Sequence, residues 1–235
     1  MSPTGASTFV LVHGAWIGSR CWREVADILR ANGHRVFTPT LTGLGERSHL
    51  LSPSVDLTTH VTDIVNVLAF EKLSDVVLVG HSYSGMVISG VAGRVPEGTI
   101  RSIVFLDAFV PRDGQSLADI VGEEAARLVY GDKDPVPPPM WIAGEDATLA
   151  RCFAYESTPH PRASKFERLV STAARERIPI KTFVLATRPA SGFFAAHAEQ
   201  LRADPKWRVE EIACGHMTML DMPEETTEIL LRATS

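Results

Sequence analysis

Apolar positions follow two rhythms along this chain of 235 residues. Short runs rich in β-branched and aromatic residues recur at "TFVLV" (8–12), "RVFTPT" (35–40), "DVVLVG" (75–80), "RSIVFLD" (101–107), "KTFVLAT" (181–187) and "WRVEEI" (207–212). The middle runs are almost continuously apolar, which marks strands covered on both faces in a parallel sheet. Between the runs the spacing becomes helical. "SRCWREVADILRANG" (19–33) lines up Trp22, Val25, Ala26 and Leu29 and stops at Asn32-Gly33. "DLTTHVTDIVNVLAF" (56–70) and "MPEETTEILLRAT" (222–234) read the same way, the second with Pro223 near its first turn and acids behind it. Alternation of strand and helix predicts an α/β fold with right-handed crossovers.

The rhythm breaks from Pro111 to Pro179, where no strand is legible. Two helix-like pieces, "SLADIVGEEAARLVY" (116–130) and "FERLVSTAARER" (166–177), surround the proline-rich "DKDPVPPPMW" (132–141). So long an insertion between strands is expected to be a helical cap over a site, with surface decoration as the plain alternative. The expected organisation is a core of 1–110 and 180–235 with the cap at 111–179.

Composition narrows the class of protein. A 45% hydrophobic and 22% charged chain is that of a soluble globular protein. With 23 basic against 28 acidic residues the net charge is −5, and no basic stripe suits a phosphate backbone, so nucleic acid is not an expected partner. The opening residues have no positive n-region and only a short apolar run, so a membrane segment is not expected and a cytoplasmic location is. Cys21, Cys152 and Cys214 form no metal or disulfide pattern and read as buried small side chains.

Candidate chemistry gathers beyond the carboxyl ends of the expected strands, where open parallel sheets bind ligands. His13-Gly14-Ala15-Trp16 follows the first, Gly80-His81-Ser82 the third, Asp107 closes the fourth and Cys214-Gly215-His216 follows the last. A serine hydroxyl needs a base to take its proton, and that imidazole needs a carboxylate to fix its tautomer. Ser82, Asp107 and His216 occur in that order. Ser82 could otherwise be an ordinary helix cap.

With these residues in place, the stretch from Phe9 to Leu231 resembles the α/β-hydrolase superfamily, whose triad has the same chain order. The resemblance implies an α/β-hydrolase fold: about six mainly parallel strands flanked by helices, with a helical cap. It makes "GHSYSG" (80–85) a nucleophile elbow, although the pattern G-x-S-x-G expects glycine where this chain has Ser84, with Gly85 one place later. It implies an oxyanion hole built from the backbone N–H groups of Ala15 and Tyr83, and assigns structural places to His13 and His81. For the acid, Asp107 is favoured over Glu199 and Asp204. No metal or cofactor is implied, since the remaining histidines have no ligand spacing.

The nearer likeness, carried by "FVLVHGAWIGSRCWREVADILRANGHRVFTPTLTGLGERSHL" and "FLDAFVPRDGQS", is to the small-capped branch of plant methylesterases, hydroxynitrile lyases and bacterial esterase relatives. The lyases of that branch pair their serine with a threonine and with a lysine after the histidine. This chain has Gly14 and Met217 there, which favours hydrolysis, and an apolar, aromatic-lined pocket would suit a small aromatic methyl ester or carbamate. Bacterial relatives include hydrolases of aromatic and benzimidazole carbamates. Trp16, Phe109, Met140, Trp141, Phe153, Phe193, Phe194 and Met217, with Tyr83, are candidate pocket residues, each also readable as ordinary core. A ligand-binding protein on the same fold, or a cofactor-free lyase or oxygenase, is the alternative. Members of the branch are often dimers, so the resemblance also implies a homodimer.

Overall fold

The computed structural model describes residues 5–189 and 191–235. Residues 1–4 of the expected core segment, and Ala190, therefore lie outside the described residues. One sheet organises the chain: β1 (Thr8–Val12), β2 (Arg35–Phe37), β3 (Val76–His81), β4 (Ile100–Leu106), β5 (Ile180–Ala186) and β6 (Trp207–Ile212). Its order is β2-β1-β3-β4-β5-β6 and every pairing is parallel. β3 is buried at every position and β4 at all but Arg101, which is why both read as continuous apolar runs. β6, at an edge, keeps Arg208, Glu210 and Glu211 outside the core, charges that discourage pairing with another chain.

The chain leaves β1 to one side for β2 and returns on its other side as β3. This reversal makes the crevice between the loops after β1 and β3 the topological switch point. Helices α1 (Arg23–Ala31) and α2 (Leu57–Phe70) bury the apolar faces their spacing predicts, and α3 (Ser84–Ala92) is buried throughout. Asp56 caps α2 by accepting the Thr59 N–H at 2.7 Å. Trp22, Phe9 and Phe105 have no exposed surface, each contributing roughly 1.5–3 kcal/mol of apolar burial.

Between β4 and β5 the described residues form helices and turns, with one isolated bridge between Val136 and His160. The expected helix over 116–130 is two, α4 (Leu117–Val121) and α5 (Glu123–Tyr130), split at Gly122 with φ 89°. The expected helix over 166–177 is corrected: only α7 (Ala163–Phe166) and α8 (Ala173–Glu176) form. The intervening backbone bonds elsewhere. Leu169 N–H donates to the Gln115 carbonyl, the Leu169 carbonyl accepts from Gly114, and the Thr172 N–H donates to Asp113. A further helix, α6 (Ala147–Tyr155), is capped by Asp146, which accepts the Leu149 N–H at 2.8 Å. After β5 come α9 (Gly192–Arg202), α10 (Thr218–Asp221) and α11 (Pro223–Arg232), the last packed on α1.

Candidate active site

Ser82 stands between β3 and α3 with φ 53°, a left-handed conformation that costs a non-glycine residue about 1–2 kcal/mol. The turn is held from both sides. Ser82 N–H donates to the Leu106 carbonyl at 3.2 Å, and the Ser82 carbonyl accepts from Gly85 and Phe109, each at 3.1 Å. Small residues are needed where neighbours crowd it. A Cβ on Gly85 would meet the Phe109 carbonyl oxygen at 1.9 Å, and one on Gly14 would meet His81 Nδ1 at 2.8 Å. Ser84, at the place where the family pattern has glycine, is fully buried and its hydroxyl donates to the His13 carbonyl.

Asp107 follows β4, almost wholly buried, with φ 42°. Its Oδ2 lies 2.6 Å from His216 Nδ1, and its Oδ1 accepts the Ala186 N–H at 3.1 Å. Nδ1 of His216 is thus the ring nitrogen turned to the carboxylate, and Nε2 is the one turned away from it. Glu199 and Asp204 are elsewhere: Glu199 pairs with Arg202, and Asp204 accepts from the Lys206 amide at 2.9 Å. The His216 backbone is fixed at both ends. Its N–H donates to Asp146 Oδ2 at 2.9 Å, and its carbonyl accepts from His81 Nε2 at 2.9 Å. The ring of Phe194 stacks on the imidazole, 5.5 Å between centroids and 6° between planes.

The other histidines near the elbow are buried and neutral. His13 accepts the Leu41 N–H on Nε2 and donates from Nδ1 to the Gly14 carbonyl; burial lowers its pKa to about 4. Tyr83 donates its hydroxyl to His60 Nδ1 at 2.8 Å, while His60 Nε2–H donates to the Thr42 carbonyl; burial lowers His60 to about 3. Burial also pushes His81 and His160 well below the usual histidine range.

Ala15 and Tyr83 border the same crevice as Ser82, and neither backbone N–H has a partner among the described residues. Trp16, next to Ala15, is held with φ 64° by the insertion. Its N–H donates to His160 Nδ1 at 3.2 Å, its indole N–H to the Val136 carbonyl at 3.1 Å, and its carbonyl accepts from Thr158 at 2.7 Å.

Ser82 and His216 open onto one cavity of about 580 Å³. Trp16, Tyr83, Phe109, Phe153, Phe193, Phe194 and Met217 line it. Met140 and Trp141 do not, a correction: on the tight turn Met140–Ala143 they face solvent, 47% and 57% exposed, while Ile142 and Ala143 reach the cavity. Asp146 and Lys165 also border it and had no signal in the sequence, since each reads as a surface charge. Among the described residues no helix is long and apolar enough to cross a membrane.

Comparison with known proteins agrees with this geometry. The chain is 39% identical to a carbendazim hydrolyzing esterase of Nocardioides sp. (strain SG-4G), over 95% of this chain and 98% of that one. It is 26% identical to methylesterase 8 of Arabidopsis thaliana over 79% of this chain and 61% of that one. A solved extracellular alpha/beta-hydrolase from a Paenibacillus species, described as sharing structural and functional homology with tobacco salicylic acid binding protein 2, superposes with a TM-score of 0.84. That protein is 29% identical, with 97% of this chain and 98% of that one covered. The model of the alpha/beta hydrolase family matches residues 9–229, and with sheet order, elbow and relatives in agreement, the chain belongs to that family.

Proposed function

We propose that this chain is a serine esterase that cleaves a small aromatic ester or carbamate through an acyl-enzyme, with the insertion 111–179 as the cap of its cavity. The observation that carries the reading is one juxtaposition. A serine in a left-handed turn and a histidine bonded to a buried aspartate face one cavity walled by aromatic rings. The cavity volume lies within the ~300–1,000 Å³ usual for small-molecule sites.

In this reading Ser82 Oγ attacks the carbonyl carbon while His216 Nε2 takes its proton. Asp107 keeps the proton of His216 on Nδ1 and stabilises the imidazolium that forms. The free N–H groups of Ala15 and Tyr83 receive the oxygen as it becomes negative. Collapse of the tetrahedral intermediate expels the alcohol, or the amine of a carbamate, which takes the proton from His216. Water, deprotonated by His216, then releases the acid and restores Ser82. The carbendazim-hydrolysing relative and the methylesterases support this choice of substrate class.

Intact-protein mass spectrometry after treatment with a fluorophosphonate, wild type beside Ser82→Ala, tests it. One adduct on the wild type, none on the variant, and loss of aryl-ester turnover on substitution are expected. A folded wild type that takes no label would refute the serine mechanism and leave a ligand-binding protein on this fold.

A further inference from the structure

Lys165 has no part in the reaction above, yet it borders the same cavity as Ser82 and His216. It belongs to α7 and has no surface open to bulk solvent. Its Nζ has no hydrogen-bond acceptor and no carboxylate partner among the described residues. Aromatic faces surround it instead: the ring centroid of Tyr83 is 4.1 Å away, that of Trp16 4.7 Å and that of Tyr130 5.7 Å. Burial pushes the amine well below the ordinary lysine range.

A buried donor without an acceptor costs its full desolvation, and ring faces offset only part of that. A leucine or methionine would fill the same space without the cost, so packing gives no reason for an amine here. The neighbouring side chains are pinned: the Ser164 hydroxyl bridges His160 Nε2 and the Pro161 carbonyl, and the Glu167 carboxylate receives both the N–H and the hydroxyl of Thr58. The lysine stem, with its four torsions, is the adjustable part, and it breaks no hydrogen bond on turning toward the cavity. The rings that Nζ faces belong to Tyr83 and Trp16, on the loops whose amides would bind the oxyanion, and Lys165 borders the same cavity as Ser82 without being one of those donors.

We propose that Lys165 determines substrate choice, its amine donating to an acceptor that the substrate carries away from the scissile carbonyl. The preferred esters or carbamates then carry a ring nitrogen or a second carbonyl. This rests on the serine-hydrolase reading, because Ser82 defines where the scissile carbonyl sits.

Lys165→Met keeps length and apolarity but removes the donor; Lys165→Gln restores one. Both are compared with wild type on matched esters: methyl benzoate with the methyl pyridinecarboxylates, and phenyl acetate with the pyridyl acetates. Taking the wild-type to variant ratio for each ester cancels its intrinsic reactivity. Lys165→Met should lose at least tenfold in kcat/KM, mainly through KM, on one or more nitrogen-bearing esters, while the hydrocarbon esters stay within twofold. Lys165→Gln should recover part of the loss. Equal losses on both members of every pair, or no change on any, overturn the proposal. Fluorophosphonate labelling separates the two readings. A wild type that takes no label overturns the serine mechanism and this inference with it. Labelling of all three proteins without discrimination between esters overturns the role of Lys165 alone, as does loss of labelling in both variants.

Discussion

Gly85→Ala puts the shifted glycine of the elbow to a mechanical test. The added Cβ would lie 1.9 Å from the Phe109 carbonyl oxygen and 2.9 Å from its carbon, whereas contacts under 3.0 Å are essentially never seen. The Phe109 backbone must therefore retreat by about 1.1 Å merely to reach that floor. It is not free to do so, because its N–H donates to the Ser82 carbonyl at 3.1 Å, the oxygen that also receives the Gly85 N–H. Overpacking of this kind costs about 1–3 kcal/mol, and a lost hydrogen bond adds about 1. The total of about 2–4 kcal/mol corresponds to a fall in Tm of roughly 4–16 °C in a chain of this size. Because the strain falls on the carbonyl of Ser82, labelling by a fluorophosphonate should slow as well. Calorimetry and labelling kinetics measure both. A variant that melts within about 2 °C of wild type and labels at its rate would refute this account of the elbow.

Acid should unfold the protein through its buried histidines. An unfolded histidine takes its proton near pH 6.5, while His13 and His60 do so at about 4 and about 3. The unfolded chain thus binds more protons below pH 6.5, and stability, complete above that value, is lost as the pH falls. At pH 5 each of the two has removed about 2 kcal/mol, with His81 and His160 acting in the same sense, against a total stability of about 5–15 kcal/mol. The urea midpoint should drop steeply from pH 6.5 to 5; a flat profile would count against it. Burial pushes Cys152 to about 11, Cys214 to about 12 and Cys21 well above its usual range. An aromatic disulfide reagent at pH 8 should find no reactive thiol until urea is added, and stoichiometric reaction of the native protein would contradict this. Asp146→Ala frees the His216 and Leu149 N–H groups. A fall in kcat of about tenfold with KM little changed, alongside a loss of about 1 kcal/mol for the missing cap, is expected. Unaltered kcat would remove Asp146 from the positioning of His216.

The parts of the fold that depend on local pattern were the legible ones. β1, β3, β4 and β5 are buried on both faces, so their composition alone marks them. The insertion resisted because its structure is decided by distant partners. The helical spacing of 166–177 is real, but Gln115, Gly114 and Asp113 take the backbone groups that a helix would use. Met140 and Trp141 are apolar and adjacent, yet a tight turn splits the cavity-facing side from the exposed one after them. The order of Ser82, Asp107 and His216 was legible because each follows its own strand, and the sequence already favoured Asp107 over Glu199, a preference with which the 2.6 Å contact to His216 agrees. Lys165 was invisible for the opposite reason. A lysine in "RASKFERL" has the appearance of a solvated surface residue, and only the packing of Trp16, Tyr83 and Tyr130 around it says otherwise.

The division between sheet and insertion also bears on how the site is held. The sheet supplies Ser82 and Asp107 directly, at the ends of neighbouring strands, and their positions follow from the register of β3 with β4. His216 and Trp16 are different, because each lies on a loop that bonds to the insertion: His216 through its N–H to Asp146, and Trp16 through its backbone to Thr158 and His160 and through its indole N–H to Val136. Loops of this kind need outside partners to hold a narrow geometry. The insertion therefore does more than line the cavity. It bonds the loops of His216 and Trp16, while the sheet places Ser82. A sheet core without residues 111–179 would keep Ser82, Asp107 and His216 in order, with the Asp107 bond to His216, while losing the partners that hold the loops of His216 and Trp16.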